Sequence, residues 1–390
     1  MIPPFEEQLR AAARAAGLDP MNGPAMLAHV SYQQEYAVKS KVVQGFLKAL
    51  APKDGLAPLV QAPMPRGYRT TSRRRVWRDR RGVRLVHGDV NESAAADALE
   101  PAAHLRVYER LAPFLRSTKD PLVDVLNHVI VRGTYDEHVL ILNVRELSAE
   151  IIRSARAWTR AVTKEVPTVQ ASWLYVDPKG SRYYLDTDRP LRGVSEKKIT
   201  GERAWRQSID DIVYQVGVFS FSQVNLAMTP LLVDTVKRCC DVRPTDVLAD
   251  LYGGYGLFGA AMATSVKSIL TMDSDQTTVD NARYNIRRAG GTVNAVAMPV
   301  TPANLRRVID HADVVVLDPP RSGTEPGVIA AVAEVRPRRA VHVFCGPDEI
   351  RRSLAEWKTA GYAVDAIVPL DLFPGTAGLE VVIALRPLSA

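Results

Sequence analysis

Hydrophobic and polar residues alternate with a helical period at the start of the chain. The stretch "YQQEYAVKSKVVQGFLKAL" places apolar side chains three and four positions apart, as on the buried face of a helix. Proline and glycine in "APKDGLAP" and "QAPMPRGYR" then interrupt the pattern. We therefore expect an N-terminal helical segment over residues 1–58.

A region of mixed periods follows over residues 59–214. "HVLILNVRE" predicts a strand, and "LSAEIIRSARAWTRAVTKEV" predicts a long amphipathic helix. "SWLYVDPKGSRYYLD" predicts a hairpin that turns at residues 178–180. The alternation of strand and helix patterns indicates a central α+β region.

Short apolar runs alternate with helical patterns from residue 215 to the end of the chain. The predicted strands are "DVLAD", "SILTMD", "VNAVAM", "ADVVVLD", "AVHVFC", "AVDAIVPL" and "EVVIALRP". Strands that alternate with helices form a mostly parallel, doubly wound sheet. Ligands bind such sheets beyond the carboxyl ends of the strands. We expect an α/β domain over residues 215–390, with its site at that edge.

Acids and glycines mark the ends of the first two predicted strands. Asp250 ends the first strand, and Gly253, Gly254 and Gly256 form the turn to the next helix. Glycines there let the backbone approach a ligand and present N–H groups at a helix start. Asp273 ends the second strand, where an acid is well placed for the ribose hydroxyls of an adenosine cofactor. The competing interpretation of Asp273 is a helix N-cap.

Two further strand ends carry chemistry. "VVVLDPPRSG" places Asp318 and Arg321 on either side of a stiff proline pair, and "AVHVFC" ends at Cys345. A helix predicted to begin near Asp348 would lower the pKa of the Cys345 thiol. A buried, inert cysteine is the commoner fate of this residue type. The strand-end position favours a thiolate that a substrate can reach.

The charge of the chain indicates an anionic partner. The formal net charge is +7, and "RGYRTTSRRRVWRDRRGVR" holds nine arginines against one acid. Arginine matches phosphate oxygens, and aromatic residues among the arginines offer stacking faces, so nucleic acid is the first candidate. A solubilising strand face is the alternative.

Length and composition limit the class of protein. The 390 residues suggest two or three domains, and 46% apolar content is typical of a folded chain. Three cysteines cannot build a disulfide framework or a cluster, and the histidines lack metal-ligand spacing, so we predict no metal. No apolar run is long enough to span a membrane, and "MIPPFEEQLR" lacks a secretory signal. We expect a cytoplasmic protein and take a monomer as the default.

Five ordered motifs resemble those of one enzyme family. "FSFSQVN", "DLYGGYGLFG", "DPPRSG", "FCGPDEI" and "DLFPGTAGLEVVIAL" are similar to the motifs of S-adenosylmethionine-dependent RNA 5-methyluridine methyltransferases, which act on tRNA or ribosomal RNA. "YRTTSRRRVWRD" is similar to a segment of that family's RNA-binding region. The resemblance covers most of the chain. It implies a class I methyltransferase-like, seven-stranded α/β domain preceded by an α+β RNA-binding region.

The resemblance also implies a role for each matching residue. Cys345 would be the nucleophile that adds to carbon 6 of uracil, and Glu380 would be the general base. S-adenosyl-L-methionine would be held by Gln223, Tyr252, Gly254, Asp273 and Asp318. RNA would be bound by Tyr68, Arg69, Arg73, Arg75 and Arg321. The target base would have to leave its stack to reach the site.

Several positions depart from the family pattern. Gly253 stands where cysteine is common, Phe344 and Gly346 replace Ser and Asn beside the nucleophile, and Gly378 replaces a His near the base. The chain has no cysteine-rich stretch for an iron–sulfur cluster and no N-terminal β-barrel extension, which predicts a compact subtype.

Two other functions stay open from the sequence. A methyltransferase acting on a nitrogen needs no cysteine and carries an aromatic residue where Arg321 follows the prolines. An RNA-binding or RNA-folding module would keep the fold and lose turnover. Within the first hypothesis, tRNA and ribosomal RNA are both candidate substrates, and cytosine is a less favoured target base.

Overall fold

Two large sheets organise the chain in a computed structural model that describes residues 3–80, 82–87, 94–117, 119–177 and 195–388. The helices of these residues are α1 Phe5–Ala15, α2 Tyr32–Leu47, α3 Ala102–Leu111, α4 Pro121–Val125, α5 Ala149–Glu165, α6 Thr229–Cys240, α7 Leu257–Ala261, α8 Gln276–Arg288, α9 Pro302–Val308, α10 Val328–Glu334 and α11 Ile350–Thr359. The strands are β1 Thr71–Asp79, β2 Gly82–Val86, β3 Leu126–Gly133, β4 His138–Val144, β5 Val169–Val176, β6 Ser195–Thr200, β7 Ala204–Ile209, β8 Ile212–Gly217, β9 Val247–Leu251, β10 Ser268–Asp273, β11 Val293–Ala297, β12 Val314–Leu317, β13 Arg339–Phe344, β14 Tyr362–Leu370 and β15 Glu380–Pro387.

The C-terminal sheet has seven strands in the order β11-β10-β9-β12-β13-β15-β14. The pairs β10·β11, β9·β10, β9·β12 and β12·β13 are parallel, whereas β15 runs antiparallel to both β13 and β14. Each strand coincides within a few residues with an apolar run, and the central parallel strands β9, β12 and β13 are buried on both faces. The expected seven-stranded, mostly parallel class I methyltransferase fold is confirmed.

The N-terminal sheet has six strands in the order β2-β1-β3-β4-β5-β6 and is mostly antiparallel. One face packs on α3 and α5 through residues such as Val131, Leu142 and Trp158. The opposite face carries Ile141 and Trp173, which belong to a core shared with the C-terminal domain. Strands β5 and β6 pair antiparallel, while the predicted turn at residues 178–180 lies outside the described residues.

Helices α1 and α2, near the start of the chain, pack directly on the C-terminal sheet. Phe5 and Phe46 share a core with Leu251 and Leu317 of that sheet. Residues 56–60 continue alongside β14 through two isolated parallel bridges. Over the described residues, the N-terminal helices therefore form part of the layer that covers the seven-stranded sheet.

Two further observations bear on the predicted organisation. The predicted boundary between residues 214 and 215 falls inside β8, which pairs with β7 to form a separate hairpin. In the part of the chain that the structure describes, no helix combines the length and the apolar content that crossing a membrane requires.

Candidate active site

Four neighbouring strands bring the predicted chemical groups to one edge. Strands β10, β9, β12 and β13 lie side by side and parallel. Asp273 ends β10, Asp250 is the penultimate residue of β9, Asp318 directly follows β12, and Cys345 directly follows β13. The structure therefore places these four side chains along the carboxyl edge of the sheet, as the sequence predicted.

The glycine turn after β9 depends on residues without side chains. Gly254 has a φ of +54° and open space where a Cβ would be, and its N–H donates to Asp273 Oδ2 at 3.1 Å. A Cβ on Gly253 would lie 2.3 Å from Thr271 Oγ1 and 3.0 Å from the Asp250 carbonyl oxygen. A cysteine at position 253, common in the family, therefore does not fit beside Thr271 unless Thr271 moves. Tyr252, half-buried with a φ of 59°, opens this turn.

Asp273 is held in place by two backbone N–H groups, from Gly254 and Asp275. The N-cap of α8 is Asp275, whose Oδ1 accepts the Thr278 N–H at 2.8 Å. The N-cap interpretation of Asp273 is therefore wrong. Burial raises the pKa of Asp273, and its carboxylate remains partly open to solvent at the rim.

Two interacting acids, the buried Asp250 and the partly exposed Asp318, lie beside the glycine turn. Asp250 Oδ2 accepts the Gly259 N–H at 3.0 Å, whereas the buried Oδ1 has no hydrogen-bond partner among the described residues. Burial, with a smaller contribution from Asp273, raises the pKa of Asp250 to about 7. Burial and the Asp250 carboxyl likewise raise the pKa of Asp318 to about 7. The site can therefore accept a ligand with hydrogen-bond donors or positive charge.

Cys345 is partly exposed at this edge, and its thiol is protonated at neutral pH. Burial first, then the carboxyls of Glu380 and Asp318, raise the pKa of the thiol to about 12, against an opposing effect of Arg321. The residues that follow form a 3₁₀ turn over Pro347–Glu349 before α11 begins at Ile350. The prediction that a helix N-terminus lowers this pKa is therefore wrong, because desolvation and two acids outweigh it.

Glu380 lies beside Cys345. In the antiparallel pair β13·β15, Phe344 is opposite Val381, so the next position of the register brings Cys345 and Glu380 together. Glu380 is only 2% exposed, and burial together with Asp318 raises its pKa well above the usual range. A solvated surface glutamate, the alternative for a charged residue that opens a strand, is excluded. A thiol and a carboxyl of high proton affinity are therefore adjacent, the two groups that a nucleophile and a general base require.

The departures from the family motifs have local structural explanations. Phe344 is buried in the core that contains α11, and its ring stacks on His342 with centroids 4.0 Å apart. A Cβ on Gly346 would meet open space, so this position leaves room beside Cys345. A Cβ on Gly378 would lie 2.9 Å from the Phe373 Cβ, so a histidine there requires a different loop.

The segment of residues 219–225, which contains Gln223, crosses the edge of the sheet. At one end the Ser220 hydroxyl accepts a hydrogen bond from Thr278 of α8, and at the other Asn225 Nδ2 donates to the Leu372 carbonyl at 2.8 Å. Arg132 of β3 donates to the carbonyls of residues 218 and 220 and to the Ser222 hydroxyl. Gln223 is 5% exposed within this tied segment. Arg132 is a positioning contact that no sequence motif signalled.

The predicted RNA-binding residues separate into buried and accessible ones. Tyr68 is 0% exposed and its hydroxyl donates to the Pro374 carbonyl at 2.9 Å, so the prediction that it offers a stacking face is wrong. Arg69 is half-buried next to Asn225. Arg73 and Arg75 lie on the face of β1 opposite the α3–α5 layer, with Arg75 exposed.

Arg321 is exposed at the same edge. Its positive charge opposes the rise in the pKa values of Cys345 and Glu380 without cancelling it. Three other arginines of the basic segment serve the fold. Arg66 donates to three carbonyls of residues 27–30 and to Glu35, Arg74 pairs with Glu100, and Arg78 donates to two carbonyls near the start of β3.

Comparison with known proteins agrees with this fold. Residues 210–334 match the model of the methyltransferase small domain. A protein of Lactobacillus johnsonii named as an RNA methyltransferase is 28% identical over 387 residues, which is 93% of this chain and 82% of that protein. An RNA methyltransferase of Streptomyces coelicolor is 33% identical, but the match covers 52% of this chain and 46% of the relative.

A solved structure shares the fold over most of the chain. The tRNA (uracil-54, C5)-methyltransferase of Pyrococcus abyssi, solved with S-adenosyl-L-homocysteine, superposes with a TM-score of 0.63 at 20% sequence identity. The superposition covers 93% of this chain and 84% of that one. The unpartnered Asp250 Oδ1 and the open space at Gly254 also fit the methionyl part of such a cofactor. By fold and domain content the chain is similar to S-adenosyl-L-methionine-dependent methyltransferases, and along most of its length it is similar to RNA methyltransferases.

Proposed function

We propose that the protein transfers a methyl group from S-adenosyl-L-methionine to carbon 5 of a uridine in tRNA or ribosomal RNA. The observation that carries this proposal is the pairing of Cys345 with the buried Glu380 at the edge that also bears the glycine turn. A methyltransferase that acts on a nitrogen already has a nucleophile in its substrate, so it has no use for a cysteine and a buried base. Carbon 5 of uracil needs both.

The cofactor would lie against the turn at Tyr252 and Gly254, with Asp273, Asp318 and Gln223 around it. Asp273 is positioned to accept hydrogen bonds from ribose hydroxyls, because its carboxylate is fixed by two N–H groups and still reaches solvent. When bound, S-adenosyl-L-methionine supplies an electrophilic methyl group.

The reaction begins when the Cys345 thiol loses its proton to a neighbouring carboxylate. Asp318 is the suitable acceptor, because burial gives its carboxyl an unusually high proton affinity. Glu380 then remains available as a carboxylate for the proton on carbon 5. The Cys345 sulfur then forms a bond to carbon 6, and the electron pair of the 5,6 double bond moves towards the carbonyl at carbon 4. Carbon 5 becomes electron-rich and can accept the methyl group.

The reaction ends with removal of the proton on carbon 5 and cleavage of the bond between sulfur and carbon 6. Once carbon 5 carries the methyl group, the Glu380 carboxylate removes the hydrogen that remains there. The freed electron pair re-forms the 5,6 double bond, the bond between sulfur and carbon 6 breaks, and Cys345 leaves as a thiolate. Burial favours this step, since a desolvated carboxylate is a stronger base.

RNA would approach from the side of the exposed arginines. The target base must leave its stack to reach the recessed Glu380 and the partly exposed Cys345. Arg75 and Arg321 are exposed and carry charges that match phosphate oxygens. We therefore expect affinity for RNA to fall steeply with salt.

An RNA that contains 5-fluorouridine tests the proposal. Fluorine cannot leave carbon 5 as a proton, so the enzyme should remain bonded to the RNA after methyl transfer and migrate as a complex on a denaturing gel. Cys345→Ala should give no complex, and Cys239→Ala, a change in a buried thiol of α6, should give as much as the unaltered chain. A complex that persists in Cys345→Ala sinks the assignment of the nucleophile. RNA binding with no complex in any variant favours the binding-module alternative.

A further inference from the structure

The loop before Glu380 is held by a buried ion pair. Residues 371–379 connect β14 to β15, and Leu370 pairs with Glu380 across the base of the loop. Lys39 of α2 contacts Asp371 at the start of this loop, with Nζ 2.6 Å from Oδ1. Both side chains are 0% exposed. An ion pair in such a place links the N-terminal helices directly to the loop that ends at the proposed base.

The Lys39 ammonium group contacts the loop at three points. Besides Asp371, it donates to the carbonyl oxygens of Phe373 at 3.3 Å and Thr376 at 3.0 Å. An ammonium group has three donors, so each of them has a partner in this one loop. The hydroxyl of Tyr32, two turns earlier in α2, donates to the other Asp371 oxygen at 3.1 Å. Lys39 therefore fixes the path of the loop at its start and near its end.

A buried acid of α2, Glu35, reinforces this arrangement. Glu35 accepts the Gly375 N–H through one oxygen, and Arg66 donates to the other at 2.9 Å. The Tyr68 hydroxyl donates to the Pro374 carbonyl, and the Leu27 N–H donates to the Gly375 carbonyl at 2.9 Å. The N-terminal segment thus makes hydrogen bonds to most of the residues between Asp371 and Thr376.

Stability alone does not explain an ion pair in this position. Desolvation of two charges offsets most of their attraction, and apolar residues of similar volume often serve a core equally well. Charged hydrogen bonds are, however, directional and define one conformation. The loop ends at Glu380, whose carboxylate must face carbon 5 of the base, so an error in loop position displaces the base directly.

We propose that Lys39 is a positioning residue of the reaction: with Asp371 it fixes the loop of residues 371–379 so that the Glu380 carboxylate reaches the hydrogen on carbon 5. This inference rests on the function proposed above. It assigns Lys39 to the release step, because only proton removal requires Glu380 after the methyl group has been transferred.

The test uses the full chain with a natural uridine RNA and compares Lys39→Met with Glu380→Gln. In single-turnover experiments Lys39→Met should transfer the methyl group to RNA, while release of the product slows at least tenfold. Methylated RNA bonded to Cys345 should therefore accumulate on a denaturing gel, as in Glu380→Gln, with KM for S-adenosyl-L-methionine unchanged. The double variant Lys39→Met/Asp371→Leu leaves no unpaired buried charge, so it keeps a folded core and should show the same accumulation.

Arg338→Met is the matched control. Arg338 pairs with Asp246, which is 5% exposed on its side chain and precedes β9 at the opposite edge of the same sheet. This variant should lose thermal stability and release product at the normal rate. Folded protein is counted in every case by titration with S-adenosyl-L-homocysteine.

One result would overturn the role of Lys39, and a different result would overturn the proposed function on which it rests. If both Lys39 variants release product at the normal rate per folded molecule, Lys39 only stabilises the fold and the positioning role is wrong. If the unaltered chain forms neither 5-methyluridine nor a complex with RNA containing 5-fluorouridine, the proposed function itself fails.

Discussion

The two sheets of this molecule place their charged residues in different ways. In the seven-stranded sheet the acids stand at strand ends, where Asp250, Asp318 and Glu380 are desolvated and have raised pKa values. In the six-stranded sheet the arginines run along the length of β1, and successive side chains point to opposite faces. The role of a charge is therefore set by its position along the strand in the first sheet and by its face in the second.

Arg74 and Arg75 show the consequence most clearly. Arg74 is 5% exposed, makes two hydrogen bonds of 2.8 Å to Glu100, and lies 4.3 Å from the ring centroid of Tyr108. Arg75, the next residue, is exposed, and its guanidinium carbon lies 5.5 Å from the ring centroid of Trp77. A count of arginines in this segment therefore overstates the charge that an RNA can reach.

Loss of Glu380, the proposed base, should give the largest effect at the catalytic edge. Glu380→Gln keeps the volume of the side chain and removes its proton affinity, so release of the product should slow by about 10²–10⁴-fold. Methyl transfer in the first turnover should survive, because Asp318 can still accept the thiol proton. The measurement is methylated RNA that remains bonded to the protein on a denaturing gel.

Glu334→Gln is a control in an exposed acid paired with Arg306, and it should behave as the unaltered chain. If Glu380→Gln turns over at the normal rate, another group removes the proton, and the buried position of Glu380 serves only the fold.

Ionisation of the buried Asp250 should also lower the stability of the folded chain at neutral pH. Asp250 has a pKa of about 7 in the folded chain, against 3.8 as its ordinary value. The folded state therefore holds a proton that the unfolded chain has released between these pH values, and stability falls as pH rises from about 4 to about 7. Asp250→Asn should be more stable than the unaltered chain at pH 8 by up to roughly 4 kcal/mol, and equally stable near pH 4.

Thermal unfolding of the cofactor-free protein at the two pH values measures this difference. Asp234→Asn, a change in an exposed acid of α6, should leave stability within about 0.5 kcal/mol at both. A gain in Asp250→Asn that is the same at pH 4 and pH 8 contradicts the account, because it would not arise from ionisation.

Most of the catalytic edge could be predicted because the positions of its residues follow from short stretches of sequence. An apolar run fixes where a strand lies, and the residue after it must stand at an edge of the sheet, so Asp273, Asp318 and Cys345 could be placed from the sequence. Glu380 could be assigned to this edge only through the family resemblance. Strand β15 runs antiparallel to β13, so the residue that reaches the edge is the first of the strand rather than the last. The predicted shift in the pKa of Cys345 had the wrong direction, because the prediction considered the following helix and not the surrounding acids.

The contacts that the sequence did not reveal join distant parts of the chain. Lys39 and Asp371 are 332 positions apart, and a lysine on an amphipathic helix is ordinarily solvated. The arginines around Tyr68 in the sequence suggested an exposed ring, yet Tyr68 is buried and contacts the loop before Glu380. No periodicity marks such residues, because their burial depends on which elements meet in the folded chain.

The smallest expected effect tests the other sheet. Arg75→Ala should weaken RNA binding by about 1 kcal/mol and lower the slope of log affinity against log salt by roughly 0.7–0.9, since one phosphate contact is lost. Stability should not change, because Arg75 is exposed. Binding of a transfer RNA at several salt concentrations, together with thermal unfolding, measures both quantities.

Arg74→Ala is the matched change on the opposite face of the same strand. Its removal leaves Glu100 buried without its partner, so the variant should unfold at a lower temperature. Its salt slope should stay that of the unaltered chain, since a guanidinium already bonded to a carboxylate is not available to a phosphate. If Arg74→Ala and Arg75→Ala lower the slope equally, the face of β1 does not decide which arginine meets RNA, and the distinction between the two sheets is lost.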